Sequence, residues 1–405
     1  MLCVGMDVHK DSTVFDLFDP AAPKPKQHRT ATVPTTAEGI RSVLEPLTGR
    51  CRVVFEIGLQ AQWVASVVRP LAAEVQVANP SRIPWLFRDG RKNDRIDARK
   101  LATLLYLDQV PQVHLPPQDV SMWRALINHR RSLVKRRTML KNQMRSIVRT
   151  FNYRCPHPSL WTRKGRAWLG SQAFDVGRTV MMDSLLEELD MLNTQRRRLE
   201  NQLDEIANSH PNVALLRTIP GVGPRTAEAL VAYADDVARF DHRKQFASYF
   251  GMTPTQDASG HIDRHGHISK RGPSVVRWLI VEAVHRTIRY CPALRAYFER
   301  IWRGKKDRYK KAIVATGRKL LTIAFAMMRD QRPFDPLRVS CALAALDHNS
   351  FPRSTSIRRR PEPVQDSAPS GAPNSRPLHG PDSSWTEPAP PRQVQPSRKK
   401  RILRA

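Results

Sequence analysis

Five short β-rich runs fall before residue 81, and a chain that opens this way must build a sheet first. LCVGMDV (2–8) and TVFDLFD (13–19) flank the polar turn His9-Lys10-Asp11-Ser12, and HRTATV (28–33) is a third candidate strand. CRVVFEI (51–57) and EVQVANP (74–80) follow, with helical stretches near 36–46, 60–72 and 94–107 between and after them. Strands first in hairpins, then alternating with helices, predict an α/β fold in which a mixed sheet carries helices on its faces.

From about residue 118 the texture changes to long helices. Ser121–Phe151 has apolar positions at Trp123, Leu126, Ile127, Leu133, Leu140, Met144, Ile147 and Val148. Basic residues, among them Arg130, Arg136, Lys141 and Arg145, fill its other faces. A second helix over 183–208 shows a heptad seam at Leu185, Leu189, Leu192, Leu199, Leu203 and Ile206, and steps of four and three are coiled-coil spacing. Either an intramolecular helical hairpin or a dimerising coiled coil with a basic face satisfies the pattern. The Pro/Trp/Gly-containing stretch 152–182 separates the two helices. The expected organisation is an α/β domain over 1–115, a helical coiled-coil domain over 116–210 and a mainly α domain over 211–340. A basic Pro/Ser/Arg-rich tail over 341–405 lacks the apolar content to fold and is expected to be disordered.

The formal net charge is +30. Residues 352–405 carry 11 Lys/Arg and 4 Asp/Glu, so +7 lies in the tail and +23 in the rest of the chain. A body this basic points to a polyanion partner, nucleic acid first. The five cysteines are scattered, with no zinc-ligand spacing and no sign of a disulfide framework, which fits a reducing cytoplasm. The early charges of MLCVGMDVHKDS argue against a signal peptide, and no apolar run reaches the roughly 18 residues of a membrane span. The expectation is a cytoplasmic, nucleoid-associated protein with no membrane partner.

Asp7 and Glu56 each sit near the end of a strand whose other residues are apolar. An acid there is costly unless it is paired or binds a metal at a sheet edge. Asp94 and Asp97, in KNDRIDARKLA, share one face of a helix at i,i+3 spacing. They also alternate with Lys92, Arg95, Arg99 and Lys100, so a salt-bridged helix start is the structural alternative. Four acids on such elements can converge into an oxygen cage for Mg²⁺ or Mn²⁺, in which two ions would serve phosphodiester cleavage.

GMDVHK around Asp7, FEIG around Glu56, VANP at 77–80 and KNDRIDARKLA together resemble the N-terminal domain of DEDD transposases. These belong to the insertion sequence 110 family, which is similar to the Piv-type DNA invertases. Where that family has a small residue before the glycine, this chain has Ile57 before Gly58. The resemblance implies a RuvC-like, RNase H-type fold in which Asp7, Glu56, Asp94 and Asp97 are catalytic and bind the divalent metal.

LLRTIPGVGPRTAEALVAYADDVARF (215–240) reads as a helix-hairpin-helix. Gly221 and Gly223 permit close backbone approach, and amides at a helix start can hold a phosphate; a simple tight helix connection is the alternative. The following segment, FASYFGMTPTQDASGHIDRHGHISKRGPSVVRWLIVEAVH (246–285), resembles the C-terminal transposase domain of the same family. The matching features are the Phe-Ala-Ser-Tyr-Phe-Gly-Met-Thr-Pro run, Ser259-Gly260 and Ile268-Ser269-Lys270-Arg271-Gly272, with Arg277 beyond. The resemblance implies a serine nucleophile that links covalently to DNA. Its motif position is Ser259, with Ser269 in reserve. His261, His265, His267, Arg264, Lys270 and Arg271 are candidates to hold phosphate or move protons, and no further ligand nearby supports a zinc site.

The expected function is that of a transposase and site-specific DNA recombinase acting through a serine–DNA intermediate on element ends and target. The resemblance also implies a guide (bridge) RNA and a dimeric or tetrameric homo-oligomer. Arg136 and Lys141 on the basic middle helix are candidate nucleic-acid contacts. The rival readings are a RuvC-like nuclease with no covalent intermediate, a non-enzymatic nucleic-acid-binding protein, and an inactive remnant of a mobile element.

Overall fold

The computed structural model describes residues 1–24, 26–82, 93–259 and 262–341, without the side chains of residues 258, 259, 262, 263 and 265. The tail beyond Cys341, and Gly260 and His261 of the serine motif, therefore lie outside the described residues. The sheet is built from β1 (Leu2–Val8), β2 (Ser12–Phe18), β3 (His28–Pro34), β4 (Cys51–Glu56) and β5 (Glu74–Ala78). Its order is β3-β2-β1-β4-β5, antiparallel through the opening meander and parallel where β4 and β5 join. The mixed sheet expected from the sequence is present, and its strands lie within a residue or two of the predicted runs.

Period-2 alternation sorts the sheet into two faces. Val4, Met6, Phe15, Val53, Phe55 and Val77 enter one core, which α1 (Ala37–Leu44) and α2 (Ala61–Val68) cover. Cys3, Phe18, Val54 and Ala78 face the other way, onto α3 (Asp94–Tyr106) through Leu101, Ala102 and Leu105. Gly5 lies under that helix, and a Cβ on it would sit 2.0 Å from the Ala98 carbonyl oxygen and 2.6 Å from the Ala102 nitrogen. Glycine in mid-strand thus lets α3 lie directly on β1.

The long helices are α4 (Gln118–Thr150) and α6 (Val176–Asn208), with the short α5 (Arg163–Gly170) between them. They form an intramolecular antiparallel pair. Arg130 of α4 meets Glu200 of α6 at 2.7 Å, while Arg136 further along α4 meets Glu188 earlier on α6 at 3.4 Å. Leu189, Leu192 and Leu203 of the heptad seam are buried in this packing, so the seam is satisfied within the chain.

The C-terminal core joins α7 (Pro211–Arg217), α8 (Pro224–Ala234), α9 (Arg243–Tyr249), α10 (Ser274–Tyr290), α11 (Pro292–Trp302) and α12 (Tyr309–Asp330). Between α9 and α10 stands a two-stranded antiparallel hairpin, β6 (Pro254–Ser259) with β7 (Ile262–Ile268). The mainly α domain expected over 211–340 thus carries a hairpin that the sequence does not announce. Its strands carry no alternating apolar face, so the hydrophobic period that announces a half-buried strand is absent.

Glu228 on α8 is only 1% exposed, and its Oε2 lies 3.4 Å from Arg225 without a hydrogen bond. Burial pushes its carboxyl up to about 8, although Arg225 and Arg130 oppose the shift. Because the folded value is raised, the stability this group confers is present at acid pH and is lost as pH climbs from the ordinary carboxylate range toward 8. Glu228→Gln is expected to stabilise the protein by roughly 3 kcal/mol at pH 7, with no gain near pH 4. Denaturant titrations at the two pH values check this, and an equal effect at both would contradict it.

Candidate active site

The sheet register brings the first two acids together. β1 and β4 are parallel neighbours with Met6 opposite Phe55, so Asp7 and Glu56 occupy the next positions at the same end. Both belong to the face that α3 covers. The helix begins beside them: Asn93 caps it by accepting from the Arg95 amide at 3.0 Å, and Asp94 and Asp97 fall in its first turn. Acids at a helix N-terminus are favoured by the helix dipole, which offsets part of their mutual repulsion. Asp97 is buried and Asp94 half-exposed.

His9 joins the group, and the sequence reading had not singled it out as a functional residue. Its Nε2 lies 3.2 Å from Asp7 Oδ2 and 3.4 Å from Asp94 Oδ2. One ligand atom from each of Asp7, His9 and Asp94 fits within a 4.8 Å span. Burial pushes the Asp7 carboxyl up; His9 opposes the shift, and the charges of Asp94 and Asp97 add to it. Two carboxylate oxygens and an imidazole nitrogen at this spacing suit a divalent cation, which would also relieve the crowding of negative charge. Glu56 lines an adjoining cleft of about 430 Å³ together with His9, Lys10 and Gly58.

A further acid on the same sheet face is of a different kind. Asp16 on β2 is fully buried, accepts from His28 Nδ1 at 2.7 Å and lies 3.7 Å from Arg99 Nε. Its partners are a histidine of β3 and an arginine of α3, so it ties these elements to β2.

The serine motif builds the hairpin and its base. Ser259 ends β6 opposite Ile262. Gly251 and Gly272 both have positive φ, and a Cβ on either would sit 2.1 Å from a carbonyl oxygen, that of Arg271 and that of Tyr249 respectively. Arg277 on α10 donates to the carbonyls of Phe250, Arg271 and Gly272 at 3.2, 2.6 and 3.0 Å, tying the two ends of the hairpin together. Ser269 donates its amide to the Thr253 carbonyl at 2.9 Å. Arg264, His267, Lys270 and Arg271 are exposed or nearly so along this element.

Gly221 and Gly223 play different parts. Gly221 has φ of +91°, and a Cβ there would meet the Thr287 amide nitrogen at 2.5 Å, so its close approach is to α10. Gly223 caps α8 and faces open space. Of the basic residues on α4, Arg136 pairs with Glu188, while Lys141 lies over the Trp161 ring at 4.7 Å with burial lowering its ammonium.

Residues 4–152 match a family profile described as a transposase of the DEDD, IS110 type, and residues 213–299 match the profile of the transposase IS116/IS110/IS902 family. The chain is similar to the probable family 20 transposase of Pseudomonas aeruginosa, with 27% identity over 60% of this chain and 72% of the relative. It is also similar to the transposase for insertion sequence element IS1111A of Coxiella burnetii, at 26% identity over 72% of this chain and 81% of that protein. The pilin gene-inverting protein of Moraxella lacunata is 34% identical over 34% of this chain and 44% of its own length. The chain is thus an enzyme of the transposase and recombinase class. It belongs to the IS110 family of transposases. Among the described residues no helix is long and apolar enough to cross a membrane.

Proposed function

We propose that this protein cleaves and rejoins DNA as the recombinase of an insertion sequence, with Asp7, Glu56, Asp94 and Asp97 as a metal-binding carboxylate set and Ser259 as nucleophile. The observation that carries the proposal is the meeting of Asp7, from β1, with Asp94, from the start of α3, around one nitrogen of His9. The strand order β3-β2-β1-β4-β5, with a helix laid across the acid-bearing face, supports a RuvC-like, RNase H-type N-terminal domain.

Asp7 and Glu56 are fixed by the sheet and Asp94 and Asp97 by the α3 cap, so the carboxylates would hold the ion without reorganising. A bound Mg²⁺ or Mn²⁺ would supply Lewis-acid polarisation of a phosphodiester oxygen. The Ser259 Oγ would attack phosphorus, forming the Ser–O–P bond as the P–O bond to the departing strand breaks. The hydroxyl proton would pass to a base on the protein or to water, and the departing oxygen would take up a proton. Attack by a strand hydroxyl on the phosphoserine would reverse these steps, so strand exchange needs no external energy source. Lys270, Arg271 and Arg264 stand on the same hairpin to hold phosphate, and the Gly223 end of α8 offers a backbone site that positions a duplex. The proposed partners are the element ends, the target DNA, a guide RNA and further copies of the chain.

The test incubates the full-length protein and the transcript flanking its gene with end-labelled element DNA and Mg²⁺, followed by denaturing electrophoresis. A protein–DNA adduct that survives denaturation and is lost in Ser259→Ala is expected. Cleavage without an adduct, undiminished in Ser259→Ala, would overturn the serine step and leave a hydrolytic nuclease. If the adduct persists in Ser259→Ala and disappears in Ser269→Ala, the nucleophile is Ser269.

A further inference from the structure

We infer that His9 is itself a metal ligand, so that the catalytic ion is held by a mixed nitrogen and oxygen set that favours Mn²⁺ over Mg²⁺. The inference rests on the carboxylate reading above and adds to it. Nε2 stands between Asp7 and Asp94, at 3.2 and 3.4 Å, though a single ring nitrogen can direct one hydrogen at only one of them. Ligand bonds of about 2.1 Å place neighbouring donors on one ion roughly 3 Å apart, which matches this spacing.

The main chain of His9 is held as well. The His9 amide donates to the Ser12 carbonyl at 3.0 Å, and the His9 carbonyl accepts from Thr35 Oγ1 at 2.9 Å. Thr35 is held in turn by Thr13 Oγ1 at 2.8 Å and by its own amide on the Asp11 carbonyl at 3.1 Å. The main chain of the turn that carries His9 is therefore fixed by hydrogen bonds independent of the carboxylates, as a ligand held ready for an ion would be. Thr35 acts as a positioning residue. Imidazole strengthens binding of Mn²⁺ relative to Mg²⁺, which prefers all-oxygen surroundings.

The test is Mn²⁺ binding by full-length protein, followed by electron paramagnetic resonance of free and bound ion. Expected are a ¹⁴N coupling in the wild-type Mn²⁺ signal, its loss in His9→Gln, and a Mn²⁺ affinity at least about 10-fold lower in His9→Gln with Mg²⁺ affinity changed less than about 3-fold. The nitrogen coupling is read on the unaltered protein, so the test does not depend on how a variant folds. Mn²⁺ bound with no nitrogen coupling, and affinity lost in Asp7→Asn but kept in His9→Gln, would overturn the histidine while the carboxylate site stands. No Mn²⁺ bound by the wild type at millimolar concentration would overturn both.

Discussion

Asp7→Asn is expected to slow DNA cleavage by at least about 10³-fold while leaving the folded protein as stable as before or slightly more so. The two halves of this expectation have one cause. Asp7 is partly withdrawn from water at the end of the central strand, and Asp94 and Asp97 lie close enough to push its carboxyl up further. His9 returns some of that cost. Removing a charge from such a place relieves the folded state, and removes a ligand that the reaction needs. Asp16→Asn is the matched control. That acid is wholly buried and bonded to His28, so its loss is expected to destabilise the protein by about 1–3 kcal/mol. Single-turnover cleavage and denaturant unfolding of both variants settle the comparison. An Asp7→Asn protein that unfolds easily yet cleaves normally would make the acid structural and overturn its role as a ligand of the catalytic ion.

What the sequence made legible follows from where hydrophobic burial leaves a period. The strands of the sheet alternate or run apolar, so they and the acids at their ends could be read directly. The paired fate of α4 and α6 was one of two readings, because a heptad seam does not say whether its partner lies in the same chain. Arg130 and Arg136 looked like free basic charge, and only the antiparallel pairing reveals Glu200 and Glu188 opposite them. The β6–β7 hairpin was invisible for the opposite reason: a polar strand has no hydrophobic period to leave. Gly221 was recognised as a point of close approach, but the backbone it approaches is Thr287 of its own chain. His9 was passed over as a turn residue. The signal was its place two residues beyond Asp7, which at strand spacing returns a side chain to the same face.

Gly5→Ala is expected to cost roughly 4 kcal/mol of stability and to weaken metal binding in whatever folded protein remains. The new methyl would stand 2.0 Å from the Ala98 carbonyl oxygen, 2.6 Å from the Ala102 nitrogen and 3.1 Å from the Ala98 carbonyl carbon. All three are backbone atoms of α3, so no side chain can turn aside and the helix must lift from β1. Lifting α3 opens the packing of Leu101, Ala102 and Leu105 against the sheet. It also carries Asp94 and Asp97 away from Asp7, since both acids ride on the first turn of that helix. Stability and ion affinity should therefore fall together, unlike Asp7→Asn, where affinity falls alone. Gly170→Ala provides the comparison: a Cβ there meets nothing within 4 Å, and the residue ends α5 far along the chain from the acids. It is expected to be neutral or to stabilise by up to about 1 kcal/mol through helix propensity. Urea unfolding and Mn²⁺ titration of the two variants read both quantities. If Gly5→Ala matched Gly170→Ala in both, α3 would not lie on β1 as described, and the convergence of the acids would lose its structural basis.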